Sequence, residues 1–254
     1  MTPRNPKLEG SNLIDCIPQT GQCPNQCDQC YYNAHGFYTD KKTPVIPRLA
    51  EAKNKLVRVN SGHDSNIQKE LVLKKTKKFK HKFFNTSIPF FDFPGPVVYT
   101  CNSRYTDSSF LGVFDCDNIM MVRFRTNVWN TSLAYEACEY YAKREIPFTL
   151  TFMRYASINA IPKHCRGYYT EHKHILNSYW VLKTKACAEI LNKAVENSAR
   201  FISPFYSDTI KGVDIPLVDI CGTLTSSYCR DCNRCLNLYH TWCGKNNINT
   251  EDLL

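Results

Sequence analysis

Leu56-Val-Arg-Val-Asn60, then Ser61-Gly62-His63-Asp64, then residues 66–78 (NIQKELVLKKTKK) decide how the chain is read. The first piece alternates β-favouring residues with one arginine and reads as a strand. The second, with its glycine and aspartate, is a tight turn. The third sets Leu71, Val72 and nearby Phe79 inward among lysines, the pattern of an amphipathic helix. Strand, turn and helix make one βα unit. Working outward, residues 12–17 form a strand candidate followed by a Pro/Gly/Gln loop, and residues 44–54 read as a helix with Pro44 and Pro47 near its start. Downstream, residues 82–86, 97–101, 119–125 and 147–153 read as strands, and 132–144 as a helix. About six strands alternating with helices imply parallel βαβ units in an α/β fold, as an incomplete (β/α)6-type barrel or an open sheet.

Three segments follow from this pattern: an N-terminal arm over residues 1–10, an α/β core over 11–155, and a C-terminal extension over 156–254. In the extension, 155–169 reads as irregular loop, 171–199 as one long helix or two short ones, and 204–216 as loop. Residues 218–243 are cysteine-rich, with no room for a core of their own. The expected helix over 171–199 carries that end back across the mouth of the barrel.

At 254 residues, 43% hydrophobic and 22% charged, the composition is that of an ordinary globular protein. The N-terminal residues lack the apolar run of a signal peptide and no stretch approaches about 18 apolar residues, so a cytoplasmic protein without a membrane partner is expected. The net charge of +9 points to an anionic partner. Much of it lies in residues 69–82 (KELVLKKTKKFKHK), either the wet face of a helix or a surface contacting nucleic acid or nucleotide.

Fourteen cysteines are the unusual feature, and eight fall in two groups, 16–30 and 221–235. Disulfide frameworks belong to short secreted chains, and bridges between such near neighbours are strained, so the spacing points to metal ligation. Cys23, Cys27 and Cys30 form a C-x3-C-x2-C triplet on one loop. Three thiolates on a [4Fe–4S] cube leave one iron without a protein ligand, whereas electron-carrying clusters use four. The alternative is a zinc site completed by Cys16, His35 or the C-terminal cysteines.

The triplet, its place after the first strand, and the βα units behind it resemble the radical S-adenosylmethionine (SAM) superfamily. Pro24 after the first cysteine and Tyr31 after the third add to the likeness. The resemblance implies a partial barrel of the (β/α)6 type over residues 11–155, with Cys23, Cys27 and Cys30 holding a [4Fe–4S] cluster whose open iron chelates SAM. It also implies reductive cleavage of SAM, fed by an external electron donor, to a 5′-deoxyadenosyl radical that abstracts hydrogen from a substrate. Gln29 stands where the family often has an aromatic residue before the third cysteine. The family's second strand ends in a small motif receiving the amino group of SAM; here Ser61, Gly62 and Asp64 occupy that turn, without the usual double glycine and glutamate. The same turn also reads as a helix start with Asp64 or Ser65 as its cap. Asn85, Thr86, Asn102, Ser103, Arg123, Arg125 and Asn127 fall at strand ends, where α/β folds gather ligands, and Arg123 or Arg125 is placed to pair with the SAM carboxylate. Met153, at the end of the last strand, reads as core or as a neighbour of the adenine.

Cys221, Cys229, Cys232 and Cys235 give C-x7-C-x2-C-x2-C, with Cys243 further on, a ligand set for a second [4Fe–4S] cluster or for zinc. The remaining cysteines, at 101, 116, 138, 165 and 187, read as small buried hydrophobes. Two functions are therefore carried forward. One is a radical SAM enzyme acting on an unidentified substrate, with nucleic acid or nucleotide favoured by the charge. The other is a non-catalytic zinc-binding protein that uses its basic surface for nucleic acid.

Overall fold

The structure is a computed structural model describing residues 5–25, 42–101, 118–173, 178–199 and 215–253. Its elements are β1 (Leu13–Cys16), α1 (Leu49–Ala52), β2 (Leu56–Val59), α2 (Lys69–Thr76), β3 (Lys82–Thr86), β4 (Val97–Thr100), β5 (Ile119–Thr126), α3 (Thr131–Ala142), β6 (Phe148–Phe152), β7 (Tyr169–Lys173), β8 (Ser178–Leu182), α4 (Thr184–Ala199), β9 (Val218–Ile220), α5 (Cys229–Cys232) and α6 (Arg234–Lys245). Seven strands form one parallel sheet in the order β1-β2-β3-β4-β5-β6-β9, while β7 and β8 pair as a separate antiparallel hairpin. The six strands expected over residues 12–153 are all present. The chain is thus mixed α/β with an open sheet: β1 and β9 are its edges and do not pair. No helix among the described residues is long and apolar enough to cross a membrane.

Strand alternation divides the core in two. Val57, Val59, Phe84, Val97, Tyr99, Val122, Phe124, Phe148 and Leu150 face one side. There they meet Val72 of α2, Ala134, Cys138 and Tyr141 of α3, and Ile190 and Ala194 of α4. The residues between them face the other side. Leu13, Leu56, Phe83, Val98 and Met121 pack there against Leu238, Tyr239 and Cys243 of α6 and against Leu253. Two residues further along the same strands this second face turns polar: Asp15, Arg58, Asn85, Thr100 and Arg123. Arg58 and Asp15, level with one another in β1 and β2, form a buried two-point ion pair, Nε–Oδ1 2.7 Å and Nη2–Oδ2 3.3 Å.

The C-terminal segment departs most from expectation. The helix expected over 171–199 begins only at Thr184; before it, Tyr169–Lys173 and Ser178–Leu182 form a hairpin, in which Tyr179, Trp180 and Val181 follow their β preference. The cysteine-rich end has no core of its own, as expected, and packs into the main one. β9 adds the seventh strand to the sheet, and α6 covers the amino-terminal half of its second face. The arm is seated from Asn5 onward. Its 3-10 turn, Pro6–Leu8, packs against α5, and Arg230 Nη1 donates to the Glu9 carbonyl at 3.4 Å, so the segments flanking the two edge strands meet.

Candidate functional site

The second face ends, at the carboxyl tips of the strands, in a pocket. Its framework starts at Asn60, held in left-handed backbone (φ +59°) immediately after β2, with its N–H donating to the Cys16 carbonyl at 2.8 Å. The turn that follows delivers Asp64, 3% exposed. Asp64 Oδ1 accepts from the Asn66 N–H (2.9 Å) and the Thr86 hydroxyl (2.8 Å). Its Oδ2 accepts from the Ser87 N–H (2.7 Å), the Ser87 hydroxyl (2.8 Å) and Asn25 Nδ2 (3.0 Å). Five donors saturate the carboxylate. Asp64 is therefore a hub and not an acceptor for a ligand ammonium, which corrects the role expected of it.

That hub fixes the start of the first cysteine loop, as far as Asn25. Asn25, two residues after Cys23, is 1% exposed and bonded to both Asp64 and Ser87. Gln19 Nε2 donates to the carbonyls of Asp64 (3.0 Å) and Ile67 (2.8 Å). Cys23 is buried on the pocket wall. Cys27 and Cys30 lie outside the described residues, as do Asn102, Ser103, His35 and Cys116.

The pocket brings together Cys23 with Ser61, Gly62, Asp64, Asn85, Arg123 and Arg125, and Met153 adds an apolar wall. Asn25, Asn60, His63, Thr100 and Thr151 also line it and were not singled out in the sequence. Thr100 and Thr151 had a signal: each continues the every-second-residue row that carries Arg123 and Arg125, and Thr151 is level with Arg125. Asn127, by contrast, is fully buried and accepts a bond from the Tyr155 hydroxyl.

Several pocket groups are unmatched. Asn25 Oδ1, Asn60 Oδ1, Arg123 Nε and Thr151 Oγ1 are buried without a hydrogen-bond partner. Leaving such a group unpaired costs about 1–3 kcal/mol, more when it is charged, so four around one pocket ask for a partner from outside the chain. Because Asp64 can only accept, the Asn25 atom facing it must be the amide nitrogen, and the free atom is the carbonyl oxygen. Acceptors thus stand on the β1 and β2 side, and an arginine donor stands across from them on β5. Arg123 reaches only Asn85 Oδ1, at 3.5 Å, and no carboxylate among the described residues lies within ion-pair distance of it. His63 Nδ1 accepts from the Asp64 N–H at 2.9 Å, and burial holds its pKa below the usual 6.5 despite the Asp64 charge. The ring is therefore neutral at pH 7, with its proton on Nε2.

The second cysteine group lies near the same arginines. Cys221 follows β9, its N–H bonded to the Leu150 carbonyl at 2.8 Å, and a turn through Gly222 leads toward α5. Gly222 has φ +92°, and a Cβ there would stand 2.7 Å from the Ser226 carbonyl, so this turn requires glycine. Cys221 is exposed, with protein atoms crowding one side of its thiol. That crowding disfavours its thiolate, but Arg123, Lys7, Arg58 and Arg154 outweigh it and lower the pKa. The other thiols are raised, foremost by burial and further by Cys221: Cys229 to about 11, and Cys232 and Cys235 likewise upward. The four are neighbours in charge but not yet ligands in geometry. Among the described residues no three His, Cys, Asp or Glu side chains converge as a metal site. Cys243 points elsewhere, fully buried beside Tyr239 in the apolar contact of α6. Cys101, Cys138, Cys165 and Cys187 are buried, as expected of small hydrophobes.

Set against protein-family models, curated proteins and solved structures, the chain matches none.

Proposed function

We propose that the chain is a radical SAM enzyme, with a [4Fe–4S] cluster on Cys23, Cys27 and Cys30 and SAM in the pocket beside it. The observation that carries this reading is the sorting of unmatched groups around that pocket. Carbonyl acceptors from Asn25 and Asn60 stand on one side and the Arg123 guanidinium on the other, next to a buried cysteine. A zwitterionic amino-acid head, ammonium toward the asparagines and carboxylate toward the arginine, satisfies both sides at once. The parallel sheet supports the reading too, because strands running in chain order without reversal are what a partial (β/α)6-type barrel requires.

When bound, the cluster and SAM supply one-electron cleavage of the sulfonium and, from it, hydrogen abstraction from the substrate. The chain's residues do the positioning. Asp64 ties Asn25, at the start of the cysteine loop, to the tips of β2 and β3, Arg123 would hold the carboxylate, neutral His63 offers a donor without adding charge, and Met153 keeps the apolar wall dry. Cys221, Cys229, Cys232 and Cys235 are assigned to a second cluster in the same reading on their C-x7-C-x2-C-x2-C spacing. Arg58, Arg123 and Lys7 are near enough to favour an anionic centre once the four thiols converge, with electrons from the same external donor in the cytoplasm.

The test is anaerobic reconstitution, followed by iron and sulfide analysis and by 5′-deoxyadenosine formation with dithionite and SAM. Cys27→Ala is expected to lose about four irons per chain and all deoxyadenosine. Arg123→Leu is expected to keep its iron and bind SAM about tenfold more weakly or worse. A colourless wild-type protein that retains zinc through reconstitution and leaves SAM intact would overturn the proposal in favour of a structural metal protein.

A further inference from the structure

The sheet has a second concavity, at the opposite end from the pocket and independent of the reading just given. The αβ loops before β2 and β3 meet at the amino-terminal rim and enclose a groove of about 510 Å³. Lys53 and Lys55 come from the loop after α1, and Lys78 and Lys80 from the loop after α2, so two separate segments bring their cations to one place. The floor is apolar and recessed, formed by Val57 and Phe79, which are 1% and 3% exposed. Lys78 lies over the Phe79 ring at 5.0 Å. Of the four lysines only Lys80 has a carboxylate, Asp252 at 2.9 Å, which His81 Nε2 also contacts at 2.9 Å; the other three have none among the described residues. Lys74, Lys75 and Lys77 extend the exposed positive surface along α2, where Glu70 is the one acid between residues 69 and 82.

We propose that this groove is a binding site for the phosphodiester backbone of a nucleic acid. Three features select that partner. The cations lining it are all lysines, mobile point charges suited to phosphates read without regard to base. No orphaned buried polar atom lines the groove, in contrast to the pocket, so it is not built to grip a small molecule by fixed hydrogen bonds. The cations ring a hollow with a recessed apolar floor. A bilayer surface is met instead by protruding apolar groups, and among the described residues lining the groove Leu49, 58% exposed, is the one large apolar side chain that stands out. The contact is therefore an exosite: it holds a polyanion behind the sheet, away from the pocket.

The experiment is fluorescence anisotropy of the full chain with a fluorescein-labelled 30-nucleotide single-stranded RNA, from 50 to 200 mM KCl. Four phosphates neutralised by four lysines give a plot of log affinity against log salt with a slope of about −3. The triple variant Lys53→Glu/Lys55→Glu/Lys78→Glu is expected to bind at least about tenfold more weakly at 100 mM salt, with the slope falling to about −1, because one phosphate contact remains. Its melting temperature should change little, since Lys53 and Lys78 are exposed and Lys55 is half-exposed. A control with the same reversal at Lys163, Lys185 and Lys193, outside the groove, should bind within about threefold of wild type if the effect is local and not one of net charge. Equal binding by the triple variant and wild type, equal loss in both variants, or binding to phosphatidylserine vesicles but not to RNA would each overturn the proposal. None of these readouts depends on iron or SAM, so failure here is distinguishable from failure of the radical SAM reading.

Discussion

Arg234 and Arg123 both bear on the second face of one sheet, and the fold treats them in opposite ways. Arg234, at the start of α6, is 4% exposed and fully engaged. Its Nε donates to the Thr149 hydroxyl (2.8 Å), and its terminal nitrogens donate to the carbonyls of Pro216 (2.8 Å), Phe148 (3.1 Å) and Leu217 (3.2 Å), with Asp219 3.6 Å away. Arg123, level with Thr149 in the neighbouring strand, has one long contact and a buried Nε with no partner. The amino-terminal half of the face is finished by the chain itself, with apolar side chains under α6 and a matched guanidinium at its edge. The carboxyl-terminal half is left unfinished. A buried polar group whose partner is missing marks where a partner from outside belongs, so stability and function divide along the length of the same strands.

The comparison predicts effects of different size and sign. Arg234→Met should be the most damaging change, because it removes four hydrogen bonds at once and takes the cation from Asp219, although the Thr149 hydroxyl keeps Met121 Sδ and the Leu217 carbonyl keeps the Phe148 N–H. Breaking a buried, paired cation of this kind costs about 3–5 kcal/mol, read as a lower urea midpoint at unchanged m-value, both with and without chelator. A loss below about 1 kcal/mol would mean that α6 is not anchored there. Thr151→Val should behave in the reverse manner. Its hydroxyl is buried and unpaired, so an isosteric methyl removes a penalty, and the free protein should be unchanged or up to about 1 kcal/mol more stable while binding SAM less well. Equal destabilisation by both substitutions would erase the distinction between the two halves.

The same division governs what could be read from the sequence. The core strands were legible because their alternation and the turns between them are local signals, and Ser61, Gly62, Asn85, Arg123 and Arg125 reached the pocket because strand tips collect ligands whatever the loops do. The C-terminal segment was harder. β9 is only three residues long, and its identity as a strand comes from pairing with β6, far away in the chain. The hairpin of β7 and β8 was masked by charged residues at 171–174 that suit a helix equally well. α6 was obscured because its cysteines read first as metal ligands, while Leu238, Tyr239, Trp242 and Cys243 form its apolar stripe. Asp64 was placed correctly but misread, since a sequence shows that a carboxylate is present and not how many donors surround it. The free carbonyls of Asn25 and Asn60 are the converse case: only the packing that satisfies their amide nitrogens reveals the oxygen left over.

The smallest expected effect concerns the hub that holds the unfinished half in place. His63 accepts the Asp64 N–H through Nδ1, and it can do so only while that nitrogen is unprotonated. Burial is the main reason its pKa lies below 6.5 in the folded chain, whereas the unfolded chain titrates near that ordinary value. The unfolded state therefore binds the extra proton first. The contribution of His63 to stability is complete above about pH 6.5 and is lost as the pH falls from there toward the lower folded value. Melting temperatures of chelator-treated protein at pH 7.5 and pH 5.5 should differ more for wild type than for His63→Asn, whose amide oxygen can take the same N–H without titrating. Equal acid sensitivity in the two proteins would show that the ring is not held neutral, and would remove His63 from the groups that shape the pocket without charging it.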